Sequence, residues 1–197
     1  MIGIRNLWLF FALGYSIIWA LMILANRKRG KPIEDPEFYK MPGGKKCLTI
    51  GWIWLIVLLL ICLFIPVNFG VLFWIGLPFF IFGIVLNAIA MYSFARFTGG
   101  INTTGIYRYS RNPMYVASFF FLLGLCLMGW STSVWSIILL IFFIISIPFY
   151  HWIVLLEETF LEHKYGKSYC EYRDKVPRYI GASKMRKRKP KLKKEEL

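Results

Sequence analysis

The chain has 197 residues, 58% of them hydrophobic and 19% aromatic, with a net charge of +14. Soluble domains are about half apolar, and here the excess lies in long uninterrupted runs, which excludes an ordinary soluble globule. The basic residues lie outside those runs, where they orient a chain in a membrane and attract anionic headgroups; that reading is preferred to a nucleic-acid surface.

A bilayer core of about 30 Å takes roughly 20 apolar residues per helix. Five stretches approach that length: residues 7–25, 47–65, 71–95, 114–130 and 134–156. The predicted fold class is therefore all-α, a polytopic membrane protein with about five transmembrane helices. The first stretch reads as a retained helix, because little positive charge precedes it and no small-residue cleavage site follows. The loop after it, 26–46, holds Pro32, Pro36, Pro42, Gly43 and Gly44 and reads as irregular. The second and third helices are joined by a tight turn over 66–70. The fourth is short and contains Gly124, so it is tilted, bent or partly inserted. It joins the fifth through little more than Ser131, Thr132 and Ser133, which predicts an antiparallel hairpin.

Charge gives the orientation. No Asp or Glu occurs between Glu37 and Glu157, as expected where anions would sit in lipid. Seven Lys and Arg fall in 26–46, three in 96–111 and thirteen in 164–194; the alternate loops 66–70 and 131–133 have none, and Arg5 alone falls on their side. Five crossings put the three basic segments on one face. The expectation is an N-terminus outside and a C-terminus in the cytosol. One membrane domain is expected over 1–180, with its chemistry in 96–180, followed by a basic cytosolic tail over 181–197.

Two segments on the basic face carry chemistry. In the first, Arg111-Asn112-Pro113-Met114-Tyr115 opens the fourth helix. Asn112 suits the N-cap and Pro113 the first helical position. The amides of Met114 and Tyr115 then point outward, with Arg108 and Arg111 nearby. That is either an anion pocket or an ordinary cap with snorkelling arginines. In the second, Glu157 and Glu158 end the acid-free fifth helix, about 100° apart if the helix continues. They are either interfacial charges or a carboxylate aimed inward at a cationic ligand. A metal held by Glu158, Glu162 and His163 is disfavoured, since His151 is the sole other histidine. Cys47, Cys62, Cys126 and Cys170 have no CxxC spacing and suggest neither a disulfide framework nor zinc.

Taken together, Gly105-Ile106-Tyr107, Arg111-Asn112-Pro113-Met114-Tyr115, Glu157-Glu158, Tyr165-Gly166, Tyr169, Tyr172 and Val176-Pro177-Arg178 form an ordered pattern over roughly 96–180. It resembles the isoprenylcysteine carboxyl methyltransferase family of integral membrane enzymes, and the wider group with the phospholipid N-methyltransferases. One position departs: Asn112 stands where that family has histidine. Asparagine keeps the hydrogen bonds but takes no proton near neutral pH.

The resemblance implies S-adenosyl-L-methionine as methyl donor, with S-adenosylhomocysteine as product. It implies a cofactor site from Tyr107, Asn112, Pro113, Met114, Tyr115, Glu157 and Glu158, with Gly99, Gly100, Ile101 and Asn102 near the adenosine. The cofactor's carboxylate suits the amides of Met114 and Tyr115, its ammonium suits Glu158, and a tyrosine ring suits its sulfonium. No residue is assigned to catalysis; Arg108, Arg111 and Arg173 are candidates for orienting an acidic substrate group. The implied reaction is carboxyl O-methylation of a prenylcysteine-like, lipophilic or lipidated substrate. A carboxylate is ionised at neutral pH and needs no general base. A phospholipid amine N-methyltransferase, or a membrane reductase or carrier of related fold, are the alternatives. The chain lacks a glycine-rich strand-to-helix fingerprint, which excludes the soluble doubly wound methyltransferases.

Overall fold

A computed structural model of the chain describes residues 6–30, 32, 35–97 and 99–181. Arg5 and the tail beyond residue 181 lie outside the described residues. The helices are α1 (Trp8–Arg29), α2 (Gly44–Leu63), α3 (Val71–Ala95), α4 (Pro113–Met128), α5 (Val134–Tyr165) and α6 (Lys167–Lys175). Two short 3-10 helices, Phe38–Lys40 and Gly105–Arg108, lie in the loops. Among the described residues there is no strand, only a single bridge between Asn6 and Pro66.

In lipid a spanning segment must satisfy its own backbone, which a helix does. α1, α2, α3 and α5 are long and apolar enough to cross a membrane; α4, at 16 residues, is shorter. The protein is a polytopic all-α membrane protein. Leu13, Trp52, Ile56, Trp74 and Ile144 are among the large apolar side chains exposed on its flanks, as lipid-facing positions require. Pro78 and Pro148 sit inside α3 and α5.

Two helix ends differ from the sequence expectation. α5 continues nine residues past 156, because Glu157 and Glu158 end the apolar run without ending the helix. Gly166, at φ 51°, ends it in the left-handed region that glycine enters freely. α2 begins three residues early, directly after Gly43 at φ 94°.

The expected hairpin is present: Ser133 caps α5 by accepting from the Ser136 amide, and Ser136 Oγ donates to Gly129 O at 2.8 Å. The tightest packing of α4, however, is on α3. A Cβ on Gly83 would meet Phe121 N at 2.5 Å and Ala117 O at 2.8 Å. A Cβ on Gly76 would meet Gly124 O and Met128 N at 2.8 Å, and one on Gly124 would strike the backbone N of Phe80. Lipid tails are as apolar as side chains, so helices in a bilayer associate by close van der Waals contact, which small residues permit. Phe80, Phe121, Leu122 and Leu125 fill the core beside this seam.

The helix ends are tied at both faces. At one, Leu7 N donates to Ile65 O at 2.8 Å and Asn6 Nδ2 to Leu63 O at 2.6 Å. At the other, the basic face, Arg29 Nε donates to Phe97 O at 3.2 Å, and Lys164 bridges Asp35 and Glu37, each at 2.5 Å. The described parts of the three basic segments therefore share one end of the bundle, where the candidate site lies.

Candidate functional site

Between α3 and α4 the chain turns through residues 96–112. Asn102 organises that turn: its Oδ1 accepts from Thr104 N at 3.0 Å and Thr104 Oγ1 at 2.9 Å, and its Nδ2 donates to Ser93 O at 3.2 Å. This is the local bonding that makes asparagine a turn residue. Gly105, at φ 58°, starts the 3-10 helix so close to Ser93 that a Cβ would lie 2.5 Å from its Oγ. The chain then runs through Ser110, Arg111 and Asn112 into α4.

From the far side of the sequence, residues 177–179 return after α6 to run beside 110–112. Arg111 N donates to Pro177 O at 3.0 Å, and Asn112 N to Arg178 O at 3.2 Å. This docking changes the expected part of Asn112. Its side chain makes no cap to the first turn of α4. Instead its Nδ2 donates to Glu158 Oε1 at 3.3 Å and to Arg178 O at 3.2 Å. The amide is oriented by its donor end, which the Glu158 carboxylate and the Arg178 carbonyl hold.

Glu158 is the centre of the cluster. Arg178 Nε donates to both of its oxygens at 3.1 Å and Arg178 Nη2 to Oε2 at 2.9 Å. Arg111 Nη2 stands 3.3 Å from Oε1. The Glu158 and Arg111 side chains are 9% and 8% exposed, so this is a buried ion pair to which the partly exposed Arg178 adds a second guanidinium, a surplus of one positive charge. The Arg111 Nε and Nη1 hydrogens, also buried, have no hydrogen-bond partner, and unsatisfied buried donors are uncommon in native folds. The carboxylate bonds hold the Arg178 guanidinium still further above its usual range. Tyr169 lies against the pair: burial first, then the Glu158 charge, pushes its phenol up to about 12 against the pull of Arg111. Glu157 faces elsewhere, as the helical turn between neighbours requires, and accepts from Tyr115 Oη at 2.6 Å. The Tyr115 ring lies 6.1 Å from that of Tyr150.

Residues 71–168 match the family model described as phospholipid methyltransferase. That match supports a membrane methyltransferase. It spans α3, α4, α5 and the start of α6, and so includes both the 96–115 segment and Glu157-Glu158. Residues 177–179 lie beyond it. No curated protein and no solved structure matches the chain.

Within that methyltransferase frame, the expected site residues divide. Asn112 and Glu158 meet directly, Tyr115 and Glu157 meet directly, and Pro113 is fully buried at the head of α4. Met114, next in α4, is partly exposed. Tyr107 is buried with its ring 6.1 Å from Phe94, and its carbonyl accepts from Tyr172 Oη at 2.7 Å; burial raises its phenol pKa. Ile101 packs on Tyr169, Tyr172 and Val176. Gly99 and Gly100 are exposed, and a Cβ on either would meet nothing within 4 Å.

The three arginines offered for substrate orientation have three different places. Arg111 is in the buried cluster. Arg173 pairs with Glu162 at 2.7 Å. Arg108 lines an open cleft of about 300 Å³ with Thr103, Ser168, Glu171, Tyr172 and Lys175. Two residues escaped the sequence reading altogether as site members: Arg178, and Tyr179, whose hydroxyl lies 2.8 Å from His151 Nδ1. Their one signal is the Val176-Pro177-Arg178 element of the resemblance, since a proline after a short helix marks a change of chain direction.

Proposed function

We propose that this protein transfers a methyl group from S-adenosylmethionine to an amphiphile held in the bilayer. The observation that carries the reading is the meeting of Asn112 with Glu158 at 3.3 Å and of Tyr115 with Glu157 at 2.6 Å. These segments lie more than forty residues apart in sequence, and the family resemblance assigns both to one cofactor site. The family match over 71–168 supports the same chemistry.

The residues present fit the amino-acid end of the cofactor. A zwitterion needs an anion and free donors side by side; Glu158 is the anion, and Arg111 has two buried N–H groups without acceptors. When bound, the cofactor supplies an electrophilic methyl group on a sulfonium. Glu158 then receives the ligand ammonium, while Arg111 and the first amides of α4 receive its carboxylate. Tyr115, partly exposed, presents aromatic surface to a cation, with Tyr107 buried against Phe94. The contribution of the chain is alignment and exclusion of water, which displacement at carbon chiefly requires.

The resemblance favours a prenylcysteine-like carboxylate as acceptor. The name of the matched family favours a phospholipid amine, which as an ammonium must first lose a proton; our candidate to take it is Glu157, which accepts from Tyr115. Asn112 takes no proton, so neither acceptor depends on it as a base. An N-terminus outside and a C-terminus in the cytosol would put this face where the cofactor is made.

The test is a transfer assay with methyl-labelled S-adenosylmethionine in lipid nanodiscs, offering a farnesylcysteine carboxylate and phosphatidylethanolamine separately. Label released by mild alkali marks an ester, and alkali-stable lipid label marks an amine product. No transfer to either, together with no binding of S-adenosylhomocysteine, would remove the methyltransferase reading.

A further inference from the structure

The charge cluster has a feature that the proposed function leaves unused. In a site meant to receive a ligand ammonium, the receiving carboxylate is already taken. Arg178 makes three hydrogen bonds to Glu158. Its own segment is held against residues 111–112 by the bonds from Arg111 N to Pro177 O and from Asn112 N and Nδ2 to Arg178 O. One residue on, Tyr179 reaches His151 on α5.

We propose that residues 176–181 are a strap that competes with the ligand for Glu158, so that cofactor entry requires Arg178 to let go. This rests on the cofactor reading above.

Three observations converge. First, a guanidinium is chemically what an α-ammonium is to a carboxylate, a charge-assisted donor, so Arg178 and the ligand ammonium seek the same oxygens. Second, the two partners differ in exposure. The Arg178 side chain is 34% exposed, against 8% for Arg111, so Arg178 is the partner with a route to solvent, and the Arg111–Glu158 pair remains behind it. Third, once Arg178 leaves, Glu158 and the unpaired Arg111 N–H groups stand together as a binding pair for an α-amino acid zwitterion. Arg178 loses its acceptor in the exchange, and the ligand carboxylate offers a replacement. The strap then closes over the bound ligand by its backbone bonds instead of being expelled.

The experiment compares the full-length wild type with Arg178→Ala, Arg178→Lys and Tyr179→Phe in detergent, by two readouts. The first is hydrogen exchange at the Arg111 and Asn112 amides, without ligand. The second is the association rate of S-adenosylhomocysteine. The loss of charge-assisted bonds predicts exchange at both amides and association each faster by about tenfold in Arg178→Ala, with Arg178→Lys and Tyr179→Phe intermediate. Should Arg178→Ala fail to fold, the other two variants carry the same ordering. Normal binding to the wild type with association unchanged in every variant overturns the strap and leaves the cofactor reading standing. Exchange at Arg111 and Asn112 unchanged in every variant overturns it as well. Absence of binding in all four proteins removes the cofactor reading, and the strap as its gate with it.

Discussion

The seam between α3 and α4 and the cluster around Glu158 are held by opposite means. At the seam, Gly76, Gly83 and Gly124 bring two backbones into contact, and the contact is apolar. At the cluster, one carboxylate collects the neighbours Arg111 and Asn112 and, from some 66 residues further on, Arg178. The seam lies where the surroundings are hydrocarbon, so shape is the discriminating force. The cluster lies at the helix ends, where charges are kept by being paired. The first can be loosened by adding a methyl group, the second by removing a single oxygen pair.

That comparison can be broken from the cluster side first. Glu158→Ala leaves the buried Arg111 guanidinium, and the partly exposed one of Arg178, without their anion. The expected loss is about 3–5 kcal/mol, read as a large drop in thermal midpoint in detergent; an unchanged midpoint would show that the pairing carries little stability. Next comes the seam. Gly83→Leu forces side-chain bulk onto Ala117 and Phe121, with a loss of about 1–3 kcal/mol. Fluorescence-detected size exclusion after a heat challenge measures it, with Gly70→Ala as control, since a Cβ there meets nothing. Smaller still is Asn112→Ala, which removes two side-chain bonds for about 1 kcal/mol. Calorimetric unfolding should find the variant folded and slightly weaker.

The last effect appears only in alkali. The Tyr169 phenol is raised to about 12 from an ordinary value of about 10, so between those values the folded chain binds the extra proton. Its stabilisation is complete below about pH 10 and is lost as pH rises toward 12. Tyr169→Phe should flatten that decline in a series of melting curves; an identical decline in both proteins would assign it to other groups.

How much of this was legible beforehand depended on which force was acting. Hydropathy marks where lipid begins and ends, so the five apolar runs and α3 from 71 to 95 were readable. It is blind to helices that outlast their apolar stretch, and α5 therefore ran on to Tyr165. Neighbouring glutamates turn to different sides by simple geometry, and Glu157 and Glu158 do. The side chain of Asn112 was misread because local capping chemistry was weighed without the carboxylate that arrives from α5. Charge did not distinguish Arg178 among the thirteen basic residues of 164–194; its one signal was the Val176-Pro177-Arg178 element, and the return of the chain after α6 gives that element its place.

The brevity of α4 has a further consequence. Sixteen residues rise about 24 Å, some 6 Å less than the hydrocarbon core. At its far end α4 is level with its neighbours, since Gly129 touches Leu7 and Ile65. The shortfall therefore falls at the Pro113 end, and a bilayer of ordinary thickness must thin or tilt to meet the head of α4. An aqueous solute above Pro113 and an acyl chain beside α4 thus reach the same depth without the lipid leaving its leaflet.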